Sequence, residues 1–147
     1  MSTGPDPRGI DLEVTVAGTP EQVWLAIATG PGVTAWLQPT EVQPYEGGRF
    51  AFDMGDGMNE SGRVTAWAPP HRFATGGVCW TAGGETVALA TEWSIEAVSG
   101  GSCVVRMVMS GFGTGAAWDA EIDGLTEGMR LALAALRVYL SHIHRQE

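Results

Sequence analysis

The stretch from Gly115 to His144 constrains the rest of the chain more than any other. Placed at 100° per residue, Trp118, Ile122, Leu125, Met129, Ala132, Leu136, Tyr139, Leu140 and Ile143 fall on one stripe. Asp119, Asp123, Glu127, Arg130, Arg137 and Arg145 fall on the opposite side. That is the period of a helix with one buried face. Asp119, Glu121 and Asp123 occupy its opening turns, and Arg137, His142, His144 and Arg145 lie towards its end, which suits the helix dipole. At about 1.5 Å per residue the helix would run roughly 45 Å, the width of a small domain. The stripe keeps no sustained heptad with charged flanks, which argues against a coiled coil. Its longest wholly apolar run, Leu131 to Leu136, is far too short to span a bilayer. A helix of this kind needs a broad surface to lie on.

That surface is written in the first two thirds of the chain. Ile10, Leu12, Val14 and Val16 alternate with Asp11, Glu13 and Thr15, as in a strand with one wet face. Thr19-Pro20-Glu21-Gln22 then reads as a capping box with proline at the first helical position. It opens a helix from Pro20 to about Ala28 that buries Val23, Trp24 and Ile27. Gly30-Pro31-Gly32 is expected to end it, and a second short helix carrying Trp36 to run from roughly Pro31 to Leu37. From Thr40 the period changes to two. Glu41 to Pro44 forms a brief strand, and Phe50, Phe52 and Met54 alternate with Arg49, Ala51 and Asp53. Asp56-Gly57 is a hairpin signal. Glu60 to Ala68 returns, Pro69-Pro70 stops it, and His71 to Thr75 begins the next strand. Gly76 to Gly84 reads as an irregular glycine-rich loop containing Cys79 and Trp80. Val87 to Ile95 and Cys103 to Met109 are two further alternating runs joined by Ser99-Gly100-Gly101. Strands joined by tight turns are antiparallel, and one face of their sheet must be covered. The fold class that follows is α+β: six or seven curved antiparallel strands wrapped around the C-terminal helix, with two short helices after the first strand.

Composition limits the partners. The chain has 147 residues, 44% of them hydrophobic, enough for one domain with a true core. We read residues 1–8 as a disordered leader and 9–147 as that domain. A net charge of −9, with eight arginines and no lysine, argues against nucleic acid or an anionic membrane as partner. Met1 to Gly9 lacks the apolar core of a signal peptide, so the expected location is cytoplasmic. Cys79 and Cys103 have no C-x-x-C spacing and read as free thiols.

Several short motifs occur in a telling order. They are Pro20 and Trp24 after the first strand, Trp36-Leu37, Gly48-Arg49-Phe50, Gly62-Arg63-Val64, Pro69-Pro70-His71-Arg72-Phe73, Glu92-Trp93-Ser94-Ile95-Glu96 and Met109-Ser110-Gly111-Phe112. With them the chain resembles the START-like helix-grip (SRPBCC) superfamily from Ile10 to Ile143. More narrowly it resembles the branch named for the activator of heat-shock protein 90 ATPase. The resemblance implies a deep, largely apolar cavity between helix and sheet. Relatives use it to bind lipids, sterols, hormones or polyketides, to cyclise polyketides, or to resist toxic natural products. Some neutralise a reactive product at the cost of their own backbone, which draws attention to the glycines of 111–115. Fold alone does not choose among these roles.

The residues themselves show no metal or nucleophile constellation. His71, His142 and His144 have no ligand-spaced partners, and no cofactor is called for. What remains is an inward-facing apolar set. Trp118, Ile122, Leu125 and Met129 of the helix would face Phe50, Phe52, Met54, Trp93, Met107 and Met109 of the sheet, with Trp36 beside them. Each is also an ordinary core residue. Methionine adapts to irregular guests and tryptophan offers broad flat faces, so the set also suits a ligand cavity. Glu92 is placed on the solvent side with Arg106 as its cross-strand partner; alternation places no acid or base inside, and the loop residues Asp56, Glu60 and His71 stay within reach of the cavity mouth. Gly124 and Gly128 in the long helix suggest close packing against a strand. The leading expectation is a binding protein for a small apolar or aromatic molecule, monomeric or weakly dimeric. A polyketide cyclase and a chaperone-regulating interaction module are the alternatives.

Overall fold

Among the described residues the alternating runs become seven strands, and the apolar-striped segments become three helices. The computed structural model of the chain describes residues 9–53 and 59–145. In chain order they form β1 (Ile10–Ala17), α1 (Pro20–Ala28), α2 (Gly30–Trp36), β2 (Thr40–Val42), β3 (Arg49–Asp53), β4 (Asn59–Ala68), β5 (Arg72–Ala82), β6 (Glu85–Val98), β7 (Ser102–Ser110) and α3 (Ala116–Arg145). The sheet order is β1-β7-β6-β5-β4-β3-β2, and every pairing is antiparallel. The expected leader, Met54 and the Asp56-Gly57 hairpin lie outside the described residues.

The helix starts follow their caps. The Thr19 hydroxyl accepts from the Gln22 amide at 3.2 Å, and the Gln22 side chain accepts from the Thr19 amide at 2.9 Å. The two orphan amides are thereby satisfied reciprocally. Gly30-Pro31-Gly32 follows the end of α1, as expected, and also forms the first turn of α2. Thr29 ends one helix and caps the next, its hydroxyl accepting from the Gly32 amide at 3.1 Å. Proline suits a first helical turn because its missing donor would be unpaired there anyway. Gly32 is required by proximity, since a Cβ there would lie 1.7 Å from the Leu25 carbonyl oxygen.

A correction concerns Gly76 to Gly84. The strand does not stop at Thr75 but continues to Ala82, with one irregularity between Thr75 and Val78. Thr75 pairs with Thr91 and Val78 with Leu89, so β5 uses three residues where β6 uses two. This bulge breaks the period of two and resets its phase. Val78 and Trp80 consequently share the inner face with Phe73 and Thr75, while Cys79 turns outward and is exposed.

α3 lies across the inner face and packs most heavily on β1. Leu133, Leu136 and Leu140 enter the core, and Leu131 and Val138 remain 74% and 69% exposed. At the other end of α3, the Trp118 Nε1–H donates to Glu85 at 2.7 Å, and the Trp80 Nε1–H donates to Glu121 at 2.6 Å. These two bonds tie the β5–β6 hairpin to α3. Gly124 and Gly128 are exposed, with nothing within 4 Å of where a Cβ would stand, so the expected close packing is absent. On the outer face Arg106 pairs with Asp11, and Glu92 with Arg72. The expected Arg106–Glu92 pair does not form, because β1 brings an acid to the other side of β7.

Candidate functional site

The inner face of the sheet is layered by strand register. One row runs Met107–Trp93–Phe73 across β7, β6 and β5, and the next runs Met109–Thr91–Thr75. Beyond that, Leu89 pairs with Val78 and Val87 with Trp80. α3 crosses above these rows and contributes Leu125 and Met129. Helix and sheet do not close on each other there. They leave a cavity of about 220 Å³ whose walls also include Phe50 and Phe52 of β3 and Trp36 of α2. Trp36 is fixed by its indole N–H, which donates to the Ala26 carbonyl at 2.7 Å.

Seven of the eleven residues singled out in the sequence line this space: Trp36, Phe50, Phe52, Trp93, Met109, Leu125 and Met129. Three do not. Met107 is fully buried in the core, outside the lining. Trp118 is buried beside Phe112, ring centroids 6.3 Å apart, with its N–H committed to Glu85. Ile122 is half-buried against the core, outside the lining. Met54 lies outside the described residues. The sequence reading missed Trp80, Val78 and Thr75, because the bulge hid their phase. It also missed Ile27, Val33 and Thr40, which reach the cavity from the two short helices and β2. The amphipathic pattern of α1 and α2 was the available signal for Ile27 and Val33; nothing local marked Thr40.

Two groups of aromatic residues divide the interior. Trp24, Trp67 and Phe73 meet edge to face, with ring centroids 5.0 to 6.1 Å apart, and fill the floor beneath α1. This is solid core, and only Phe73 of the three also touches the cavity. Phe50 and Phe52 stand 5.5 Å apart on β3 and form a side wall. The glycines of 111–115 take no part in the lining. Gly111 is explained locally: its φ is +100°, and a Cβ would come 2.5 Å from the Ala88 carbonyl oxygen.

Among the described residues, charge stays outside the cavity. No acidic or basic side chain is among its described lining residues. Asp11 is held below the usual carboxylate range chiefly by its hydrogen bond from Arg106, on the outer face. Burial pushes the Cys103 thiol up, with a smaller contribution from Glu21. No group of three or more metal-ligating side chains gathers among the described residues. No helix among them is long and apolar enough to cross a membrane.

The fold is shared with solved structures. Protein MLL2253 of Mesorhizobium loti superposes with a TM-score of 0.81 at 18% identity, over 91% of this chain and 97% of that one. DynU16, described as a putative protein in the dynemicin biosynthetic locus, gives 0.75 at 20% identity. The match covers 93% of this chain and 48% of DynU16, so the chain spans about half of that protein. The Aha1 dimer from Colwellia psychrerythraea gives 0.69 at 17% identity, over 90% and 95% of the two chains. At such identities these likenesses establish the fold alone. No protein of curated function matches in sequence. The model of the family described as activator of Hsp90 ATPase homolog 1-like protein, however, matches residues 17–141. The chain belongs to that family, the helix-grip branch that its motifs resemble.

Proposed function

We propose that the chain is a small-molecule-binding member of its family, holding an apolar aromatic guest between α3 and the sheet. The observation that carries this is the cavity itself: about 220 Å³, walled by aromatic and methionine side chains. A close-packed domain of this size leaves few voids larger than a water molecule. Tryptophan faces and methionine thioethers are the surfaces that adapt best to flat apolar guests. Pockets for drug-sized ligands run to roughly 300–1,000 Å³, so this one suits a guest of one or two fused rings.

Binding is favoured over cyclisation because no acid or base is among the described lining residues. One structural relative belongs to the dynemicin biosynthetic locus, which supports a natural product or a precursor of one as the class of guest. Transport, sequestration and self-resistance are the roles such binding would serve.

Native mass spectrometry of freshly purified protein tests the reading. A bound species that leaves on denaturation, and that rebinds when added back, is the expected result. Protein that stays at its bare mass when challenged with one- and two-ring aromatics at high concentration would contradict it.

A further inference from the structure

The inner face of the sheet carries one polar pair that the fold does not use. Thr75 of β5 and Thr91 of β6 stand directly opposite each other in register, and both line the cavity. Thr75 is only 5% exposed. The rows on either side of this pair are apolar, Leu89 with Val78 and Trp93 with Phe73. Valine would serve a buried strand position at least as well, and it would bury no hydroxyl.

Buried hydroxyls in proteins find partners, because an unpaired one forfeits its bonds to water. Neither of these two has a side-chain partner among the described residues. Two other threonine sites show what the fold does elsewhere. Thr81 and Thr86 face each other on the same hairpin, and their hydroxyls bond at 2.7 Å. Thr40, also buried, donates its hydroxyl to the Gln38 carbonyl at 2.9 Å. Among the described residues no fully enclosed side-chain oxygen or nitrogen lacks a partner. The Thr75 hydroxyl therefore opens onto the cavity space and is not sealed within packed protein.

We propose that Thr75 and Thr91 are the oxygen-recognition subsite of this cavity, and that its guest carries an uncharged hydroxyl or carbonyl oxygen placed between them. The proposal rests on the binding reading above and adds to it the polar group by which a guest is chosen. Opposed residues of an antiparallel pair have Cβ atoms about 4.5–5.5 Å apart. One oxygen making hydrogen bonds of about 2.8 Å to each side spans that gap. A threonine hydroxyl both donates and accepts, so the pair suits a phenol and a ketone alike. A carboxylate or an ammonium would meet no opposite charge among the described lining residues.

The test compares naphthalene with 2-naphthol, which differ by one hydroxyl. Affinities are read by NMR titration on the methyl signals of Met109 and Met129, which line the cavity. The natural chain should prefer 2-naphthol by about tenfold, the worth of a typical net hydrogen bond. Thr75→Val keeps the side-chain shape and should abolish that preference while leaving naphthalene binding in place. Thr75→Ser retains the hydroxyl and should retain the preference. If Thr75→Val does not fold by circular dichroism, Thr91→Val carries the same comparison. Equal affinities in the natural chain, or a preference that survives both valine variants, would mean that the hydroxyls hold only water. The subsite would then fall while the cavity reading stands. Binding of neither compound would overturn both.

Discussion

Leu131 and Leu136 sit on one helix, yet only the second should matter to stability. Leu136 is fully buried among core residues, so Leu136→Ala should cost about 2–5 kcal/mol in a urea titration. Leu131 is exposed, and Leu131→Ala should change stability by no more than about 0.5 kcal/mol. Leu125, half-buried over the cavity, should fall between them, since part of its surroundings is already empty. Equal losses at 131 and 136 would mean that the buried face of α3 is misassigned. The cysteines should differ in the same way. Cys79 is exposed and Cys103 buried, with its thiol pushed up. A thiol-reactive probe on the folded chain should therefore label Cys79 and reach Cys103 only on unfolding. Asp11 sets a pH dependence. Its folded pKa is lowered by Arg106, so its contribution is present above the ordinary carboxylate value of about 3.9 and is lost as pH falls through the depressed value. The pair is largely exposed, so the contribution is small. Asp11→Asn should lower stability slightly at neutral pH and converge with the natural chain at acid pH, which flattens the acid limb, as read by thermal melts across pH.

At the scale of elements, the features governed by local periodicity were legible and those set by long-range placement were not. The start of α1 follows from four residues, Thr19 to Gln22, and the stripe of α3 follows from its own spacing. The bulge in β5 was hidden because its two glycines look like a loop until a partner strand supplies the register. The partner of Arg106 was hidden because nothing local tells that β1 lies beside β7. Gly124 and Gly128 illustrate the same limit: spacing suggested contact, and they face open space. That placement has a consequence. An exposed helical glycine is worse than alanine by about 1 kcal/mol, so Gly128→Ala should stabilise the domain by roughly that amount. Gly62→Ala should do the reverse, because its Cβ would come 2.4 Å from the Gly76 carbonyl oxygen. Chemical denaturation of the two variants should move in opposite directions; a gain at both would show that β4 and β5 are not packed as described.

Over the whole molecule, the two ends of α3 are anchored and its middle is not filled beneath. Leu133, Leu136 and Leu140 seal one end into the core, and the Trp118–Glu85 and Trp80–Glu121 bonds hold the other to the β5–β6 hairpin. Between them Ile122, Leu125 and Met129 pack partly against the core, and the last two border the cavity. Seven cavity residues could be named from the sequence because alternation and helical period aim them inward. Where the space stops could not, since Met107 and Met109 share a face and only the second meets the cavity. The proposed function requires that a guest occupy this space. Intermolecular nuclear Overhauser effects from bound 2-naphthol test it most directly, by locating the guest on the protein. Contacts to the methyl groups of Met109, Met129 and Leu125 are expected. Contacts confined to exposed methyls such as Leu131 and Val138, or none at saturating concentration, would contradict it.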